Sequence, residues 1–170
     1  MRPLSATGQA DADRVAEILA RESPVAIYSS PYRRARQTVE PLSSRLGLPI
    51  QEMSELRERS LLAHRDENWL SAIRSTWEDF SFAHPDGAET NDDALARAAA
   101  AFETLLHRHR GQTIVVATHG NLLVLFLRLL DPAKGYDFWR TLTFPDIYRL
   151  EVELNNSFRL RRLWEDQGSS

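Results

Sequence analysis

Short apolar runs and amphipathic stretches alternate along the chain. Three runs are short, rich in apolar and β-branched residues, and bounded by polar or turn residues, which predicts strands at 25–28, 49–53 and 113–117. Elsewhere apolar residues recur at helical spacing, which predicts helices over about residues 9–22, 33–46, 68–80, 91–109 and 122–130. Strands that alternate with helices predict an α/β fold with a mostly parallel sheet covered on both faces.

Short polar residues mark where two of these helices begin. Ser5 or Thr7 could cap the first helix, and Asn91 or Asp92 could cap the alanine-rich helix that ends near residue 109. Such side chains accept hydrogen bonds from backbone amides that have no partner within the helix. The sequence therefore places these two helix starts to within a few residues.

Two other regions carry turn or breaker residues. Pro41 lies inside the second predicted helix and predicts a kink or a break, whereas Gly47 suits the left-handed conformation that ends many helices. Residues 132–144 have the composition of a loop. Two apolar stretches then follow, at 147–154 and 158–164, and Asn155-Asn156 between them predicts a terminal hairpin.

The stretch from Thr113 to Asn121 joins an apolar strand to an apolar helix through a polar turn. The run of apolar residues without alternation predicts a strand buried on both faces. His119 follows at the carboxyl end of that strand, the edge at which ligands bind open α/β sheets. The residues alone leave two interpretations: a functional histidine, or a core histidine bonded to a backbone carbonyl.

A second strand end combines hydroxyl groups with arginines. Ser29 and Ser30 end the first predicted strand, and Arg33, Arg34 and Arg36 open the next helix. A helix N-terminus favours an anion, and a guanidinium can clamp phosphate through two hydrogen bonds. Arg33 and Arg36 are interpreted as solvated helix charges, and Arg34 is the candidate to point across the sheet edge.

Glu58 is the third candidate, in a charged segment that follows the second predicted strand. A carboxyl group in such a loop could act as a general acid. From the residues alone, a surface ion pair with Arg57 or Arg59 is the more ordinary interpretation.

Composition narrows the class of protein. A chain of 170 residues with 42% hydrophobic content predicts one domain over residues 1–170. The net charge of −3 gives no reason to expect nucleic acid or a membrane as partner, and no apolar run approaches the roughly 18 residues of a membrane span. The absence of cysteine excludes disulfides, thiolate catalysis and cysteine-bound metals. Since the N-terminus lacks the apolar core of a signal peptide, the cytoplasm is the expected location.

Five short motifs occur in a fixed order along the chain. They are Arg2-Pro3-Leu4-Ser5 with Gly8-Gln9-Ala10, the stretch Ser29-Ser30-Pro31-Tyr32-Arg33-Arg34-Ala35-Arg36-Gln37-Thr38, Leu56-Arg57-Glu58, Gly87-Ala88-Glu89-Thr90, and Thr118-His119-Gly120. In this order they resemble the motifs of the histidine phosphatase superfamily, the phosphoglycerate mutase-like proteins. Ala88 and Thr90 depart from that family's Gly-Gly-Glu-Ser loop. The resemblance extends from residue 2 to about residue 164.

This resemblance implies a three-layer α/β/α sandwich and phosphoryl transfer through a phosphohistidine, without metal or other cofactor. Arg34, His119 and Gly120 would bind phosphate, and His119 would stabilise charge in the transition state. Glu58 would protonate the leaving oxygen and then activate water. The expected ligand is a small phosphorylated substrate or inorganic phosphate. The resemblance leaves phosphatase or mutase outcome and oligomeric state open.

One family motif is missing from the sequence. The family's nucleophile stands in an Arg-His-Gly motif on a first strand, upstream of the position that Arg2 matches. His64 is the least improbable substitute among the other histidines because it follows Glu58 closely. The expectation is therefore a chain truncated relative to the family, lacking that strand and inactive as it stands. The alternative is a non-catalytic protein that binds phospho-ligands.

Aromatic residues are the remaining candidates for a substrate pocket. Trp69, Trp77, Tyr136, Phe138 and Trp139 could contact a leaving group. Their spacing favours a position in the core for most of them.

Overall fold

The computed structural model describes residues 3–60, 69–83, 89–153 and 157–165. In chain order its elements are α1 (Ala6–Ala20), β1 (Ala26–Ser29), α2 (Arg33–Leu46), β2 (Ile50–Glu52), a 3₁₀ turn (Ser54–Leu56), α3 (Trp69–Glu78), α4 (Asn91–Arg108), β3 (Ile114–Ala117), α5 (Gly120–Leu130), α6 (Tyr136–Arg140), β4 (Tyr148–Val152) and β5 (Phe158–Arg162). The features predicted at Arg2, His64, Gly87-Ala88 and Asn155-Asn156 lie outside the described residues.

Contacts group the chain into two compact units. The first comprises Met1–Gln51, Gln112–Ala117 and Leu142–Ser170, and the second comprises Glu52–Gly111 and Thr118–Thr141. The single domain over residues 1–170 stays a prediction. None of the helices in the described ranges is both long and apolar enough to cross a bilayer.

The sheet of the first unit confirms the predicted α/β class. Its described strands have the order β2-β1-β3, and β1 runs parallel to β3 with Ala26 opposite Ile114. All four residues of β1 are buried. In β3 only Val115 is buried, so burial of that strand on both faces was a wrong prediction. Among the described strands β3 lies at the sheet edge, which leaves its other residues partly exposed.

Helices α1 and α2 pack against one another and share a core with the sheet. Ala16 of α1 and Val39 and Leu42 of α2 meet Ile27 and Val115 of the strands. These small and branched side chains fall on one face of each helix, as the helical spacing predicted.

The ends of α1 and α2 follow from local chemistry. Ser5 caps α1, since its hydroxyl accepts a hydrogen bond from the Gly8 amide at 3.1 Å. Gly47 ends α2 with φ of 67°, the left-handed conformation that glycine adopts without steric cost. Of the two alternatives predicted at Pro41, the break is wrong, because α2 continues through it, and the kink stays a prediction. Proline removes one helical hydrogen bond, and the burial of Val39 and Leu42 on either side supports the uninterrupted helix.

The terminal hairpin is confirmed and completes the first unit. Strands β4 and β5 are antiparallel, with Leu150 opposite Leu160. Val15 of α1 packs with Ile147 and Trp164 beside the hairpin.

Alanine and leucine form the core of the second unit. Ala94 and Ala98 of α4 pack against Leu122 and Leu125 of α5, and all four are fully buried. Trp77 is among the partly buried residues that cover this core.

Tyr136, Phe138 and Trp139 are only partly buried, so a core position for most of the five aromatic residues stays a prediction. Residues 132–144 are mostly loop, as predicted, and they also contain the short helix α6, which the sequence pattern did not predict.

Helix α4 begins with a capping box. The Thr90 hydroxyl accepts a hydrogen bond from the Asp93 amide at 3.0 Å, and the Asp93 carboxylate accepts one from the Thr90 amide at 3.4 Å. Capping by Asn91 or Asp92 was therefore a wrong prediction. Asn91 is fully buried, and its side chain donates to the Thr76 carbonyl in the protein interior instead of capping the helix.

Replacing Thr90 by alanine is expected to lower the free energy of unfolding by about 1 kcal/mol, because an orphan amide loses its acceptor. Thr104→Ala is the matched control: Thr104 lies in the same helix and bonds back to the Ala100 carbonyl, where alanine is a good helix former. Urea denaturation measures both variants. Equal stability of the two would show that the capping box contributes little.

Candidate active site

The turn between β1 and α2 is built by two serines. Ser29 and Ser30 are fully buried. The Ser30 amide donates to the Ala117 carbonyl at 2.9 Å, and the Ser30 hydroxyl accepts from the Tyr32 amide at 3.1 Å. The Ser29 hydroxyl donates to the Ser30 carbonyl. Both hydroxyls therefore hydrogen-bond to the backbone around this turn, a structural use that the sequence did not distinguish from anion binding.

Arg34 is the second residue of α2 and differs from the arginines beside it. It is half-buried, with its guanidinium carbon 5.1 Å from the centroid of the Tyr32 ring. Arg33 and Arg36 are exposed, as predicted. Gln37, one turn further, accepts a hydrogen bond from the Leu4 amide at 2.9 Å. That bond joins the first two sequence motifs within the first unit.

In the second unit, His119 is the N-cap residue of α5. It is 7% exposed, and its carbonyl accepts the helical hydrogen bond of the Leu123 amide at 2.8 Å. Gly120 is the first residue of the helix. The Thr118 hydroxyl donates to the Leu56 carbonyl at 2.9 Å. This bond ties the histidine turn to the segment that carries Glu58.

The Glu58 carboxylate lies at the N-terminus of α5. Its Oε2 accepts from the Asn121 amide at 3.4 Å, and its Oε1 accepts from the Leu122 amide at 3.3 Å and the Arg59 amide at 3.0 Å. The structure thus brings Glu58 and His119 to the same helix end, where the helix dipole attracts negative charge. A proton-exchanging carboxyl and an anion-attracting helix end are the elements of phosphoryl chemistry.

Arg59 is a buried cation that the sequence did not single out. It is 3% exposed, and its Nη2 donates to the Thr76 hydroxyl at 2.9 Å, while its Nε has no hydrogen-bond partner among the described residues. Burial lowers the pKa of Arg59 to about 10, against the opposing attraction of Glu58 and Glu89. The guanidinium is still charged at neutral pH and lies beside the candidate acid.

Arg97 and Glu89 form a second group that sequence reasoning missed. Arg97 Nε donates to Glu89 Oε1 at 2.8 Å, and its Nη2 donates to Oε2 at 2.9 Å. Arg57 also pairs with Glu89, at 3.3 Å. The sequence signal was Glu89 in the loose Gly-Gly-Glu-Ser match.

A cleft of about 280 Å³ lies elsewhere in the second unit, with Trp77, Arg128 and Tyr136 among its lining residues. Two of the five aromatic candidates thus border a cavity. Within the described ranges, no three His, Asp or Glu side chains converge as metal ligands would.

Comparison with known proteins gives consistent matches. Residues 2–165 match the family model of the histidine phosphatase superfamily (branch 1). The chain is 30% identical over 145 residues to a metal-independent phosphoserine phosphatase of Arabidopsis thaliana, covering 78% of this chain and 60% of the relative. It is 28% identical to phosphoglycerate mutase-like protein 4 of the same plant, covering 95% of this chain and 69% of the relative. The match thus spans less than two thirds of the phosphoserine phosphatase.

Solved structures show the same fold. A mycobacterial glucosyl-3-phosphoglycerate phosphatase in complex with inorganic phosphate superposes with a TM-score of 0.74 at 25% identity, covering 94% of this chain and 85% of that one. The predicted phosphoglycerate mutase-like α/β fold is confirmed by this similarity.

Proposed function

The chain belongs to the histidine phosphatase superfamily (branch 1), and we propose that it provides the acid/base and phosphate-binding groups for phosphomonoester hydrolysis. The observation that carries this proposal is the position of Glu58 and His119 at the N-terminus of α5. A proton donor beside an anion-attracting helix end is what cleavage of a phosphate ester needs.

His119 and Gly120 act on the phosphate in this proposal. As N-cap and first residue they lie where the helix presents amides and partial positive charge. A protonated His119 would add a full charge as the phosphoryl oxygens gain negative charge. Its low exposure would strengthen an electrostatic interaction with a bound phosphate, because water is excluded.

Glu58 acts as the acid and base. It would protonate the leaving oxygen in one step and deprotonate the attacking water in the next. Three backbone amides hold its carboxylate, so the group is placed before a substrate arrives. Such prior placement reduces the entropy that the reaction must lose.

Arg34 is proposed as a further phosphate ligand. Two observations support this role. Arg34 is half-buried near the start of α2, whereas Arg33 and Arg36 on the same helix are exposed. A guanidinium forms charge-assisted hydrogen bonds with phosphate oxygens, which are stronger than neutral ones.

The nucleophile is the missing component of this proposal. None of the five histidines in the 170 residues stands in an Arg-His-Gly motif. The proposal for this polypeptide is therefore little or no turnover. A protein of this kind could still bind phosphate or phosphoesters without forming a phosphohistidine, which is the second candidate function.

We expect the 170-residue polypeptide to hydrolyse p-nitrophenyl phosphate no faster than its His119→Ala variant, because no covalent intermediate can form. The release of p-nitrophenol measures the rate. Robust turnover that requires His119 would contradict the proposed inactivity and would place a nucleophile among the existing residues.

Calorimetry with inorganic phosphate separates the two candidate functions. Binding without turnover by a cooperatively folded chain supports the phospho-ligand binder. A chain that does not unfold cooperatively supports the interpretation that the segment with the nucleophile is also needed for the fold.

A further inference from the structure

Arg97 reaches from α4 to the backbone of the segment that carries Glu58. Its Nη1 donates to the Arg57 carbonyl at 3.0 Å and also to the Glu55 carbonyl. These two carbonyls belong to the residues one and three positions before Glu58. The guanidinium of Arg97 thus bonds to two carbonyls of the backbone segment that precedes Glu58.

Glu89 fixes the orientation of this guanidinium. Its two carboxylate oxygens accept from Arg97 Nε and Nη2, so the pair is bidentate. Both side chains are only 11% exposed. The remaining nitrogen, Nη1, is thereby directed to the two carbonyls, and the planar fork of arginine is the only side chain that offers this set of donors.

The same segment is also held by the residues that precede and begin α5. Thr118 donates to the Leu56 carbonyl, and the amides of Asn121 and Leu122 donate to Glu58 itself. The segment from Glu55 to Glu58 is thus bonded both to α4 and to the start of α5.

We propose that Arg97 is a positioning residue for Glu58, oriented by Glu89, and that it keeps the Glu58 carboxylate on the amides of α5. The inference depends on the proposed function only for the acid/base role of Glu58. Arg97 does not contact the reacting atoms in this proposal and acts through the backbone that it binds.

The test follows the amide ¹H and ¹⁵N chemical shifts of Asn121 and Leu122 by NMR as the pH is lowered through the titration of carboxyl groups. A carboxylate bonded to these amides produces a step in their shifts. Glu58→Gln identifies the part of the step that belongs to Glu58, since His119, Glu89, Arg57 and Arg59 are the other charged or titratable groups of this region.

We expect Arg97→Met and Arg97→Lys to lose most of the Glu58 step, because neither side chain can hold Glu89 and two carbonyls together. Glu89→Gln should reduce it. The matched control is Arg74→Met, which removes an arginine whose ion pair with Glu78 is exposed and should leave the step unchanged. Unchanged shifts of the Leu125 amide would verify that α5 itself is intact.

A full Glu58 step in folded Arg97→Met or Arg97→Lys would overturn the proposal. If Arg97→Met does not fold, Arg97→Lys and Glu89→Gln decide it by the same measurement. The readout needs no enzymatic activity, so a chain that fails to bind phosphate would contradict the proposed function without affecting this result.

Discussion

The Leu122→Ala variant is expected to unfold with a free energy about 2–5 kcal/mol lower than that of the unmodified chain. Leu122 is completely buried against Ala94, Ala98 and Leu125. The alanine side chains of α4 are too short to fill the space that the leucine leaves. The loss of apolar contact and the remaining cavity both lower stability. Urea denaturation followed by circular dichroism measures the change.

Leu129→Ala is the matched control on the same helix. Leu129 is 49% exposed, so its truncation removes little buried surface. We expect a change well below that of Leu122→Ala. Comparable losses for the two variants would contradict the assignment of the core between α4 and α5.

The second large effect is expected for phosphate binding. Arg34→Ala should weaken the affinity for inorganic phosphate by roughly 10- to 100-fold. This change corresponds to the free energy that hydrogen bonds to a charged group usually contribute. The guanidinium would be lost from its half-buried position beside Tyr32. Isothermal titration calorimetry at fixed ionic strength measures the dissociation constant.

Arg33→Ala and Arg36→Ala are the controls, because they remove the same charge from the same helix at exposed positions. Screening by salt should keep their effects small. Equal weakening by all three substitutions would show that phosphate responds to the net charge of α2, and Arg34 would not be a specific ligand.

Features of the fold that depend on neighbours in sequence were predictable. The Ser5 cap, the left-handed Gly47 and the buried strand β1 each follow from a few adjacent residues. Helix α6 was missed because five residues are too few to display helical periodicity. The partial exposure of β3 could not be predicted either, since it depends on which strands pair beside it.

The candidate site was likewise predictable only where short sequence motifs identify its residues. Motif matching selected Arg34, Glu58 and His119, and their roles stay proposals. The network behind Glu58 was not predictable, because Arg97 bonds to a carbonyl 40 residues away and Glu58 bonds to amides 63 and 64 residues away. Such contacts between distant residues are decided by the way the helices pack, and no local pattern encodes them.

The carboxylate of Glu58 occupies the amides of Asn121 and Leu122, at the helix end where His119 and Gly120 are the proposed phosphate ligands. An external phosphate that takes these amides must first displace it, so two anions compete for one helix end. The measured free energy of phosphate binding would then include the free energy needed to displace the Glu58 carboxylate. Glu58→Gln should therefore bind phosphate at that position more tightly than the unmodified chain. Under the proposed function, Glu58 would thus compete with phosphate from within the chain, at an effective concentration that dilution does not change.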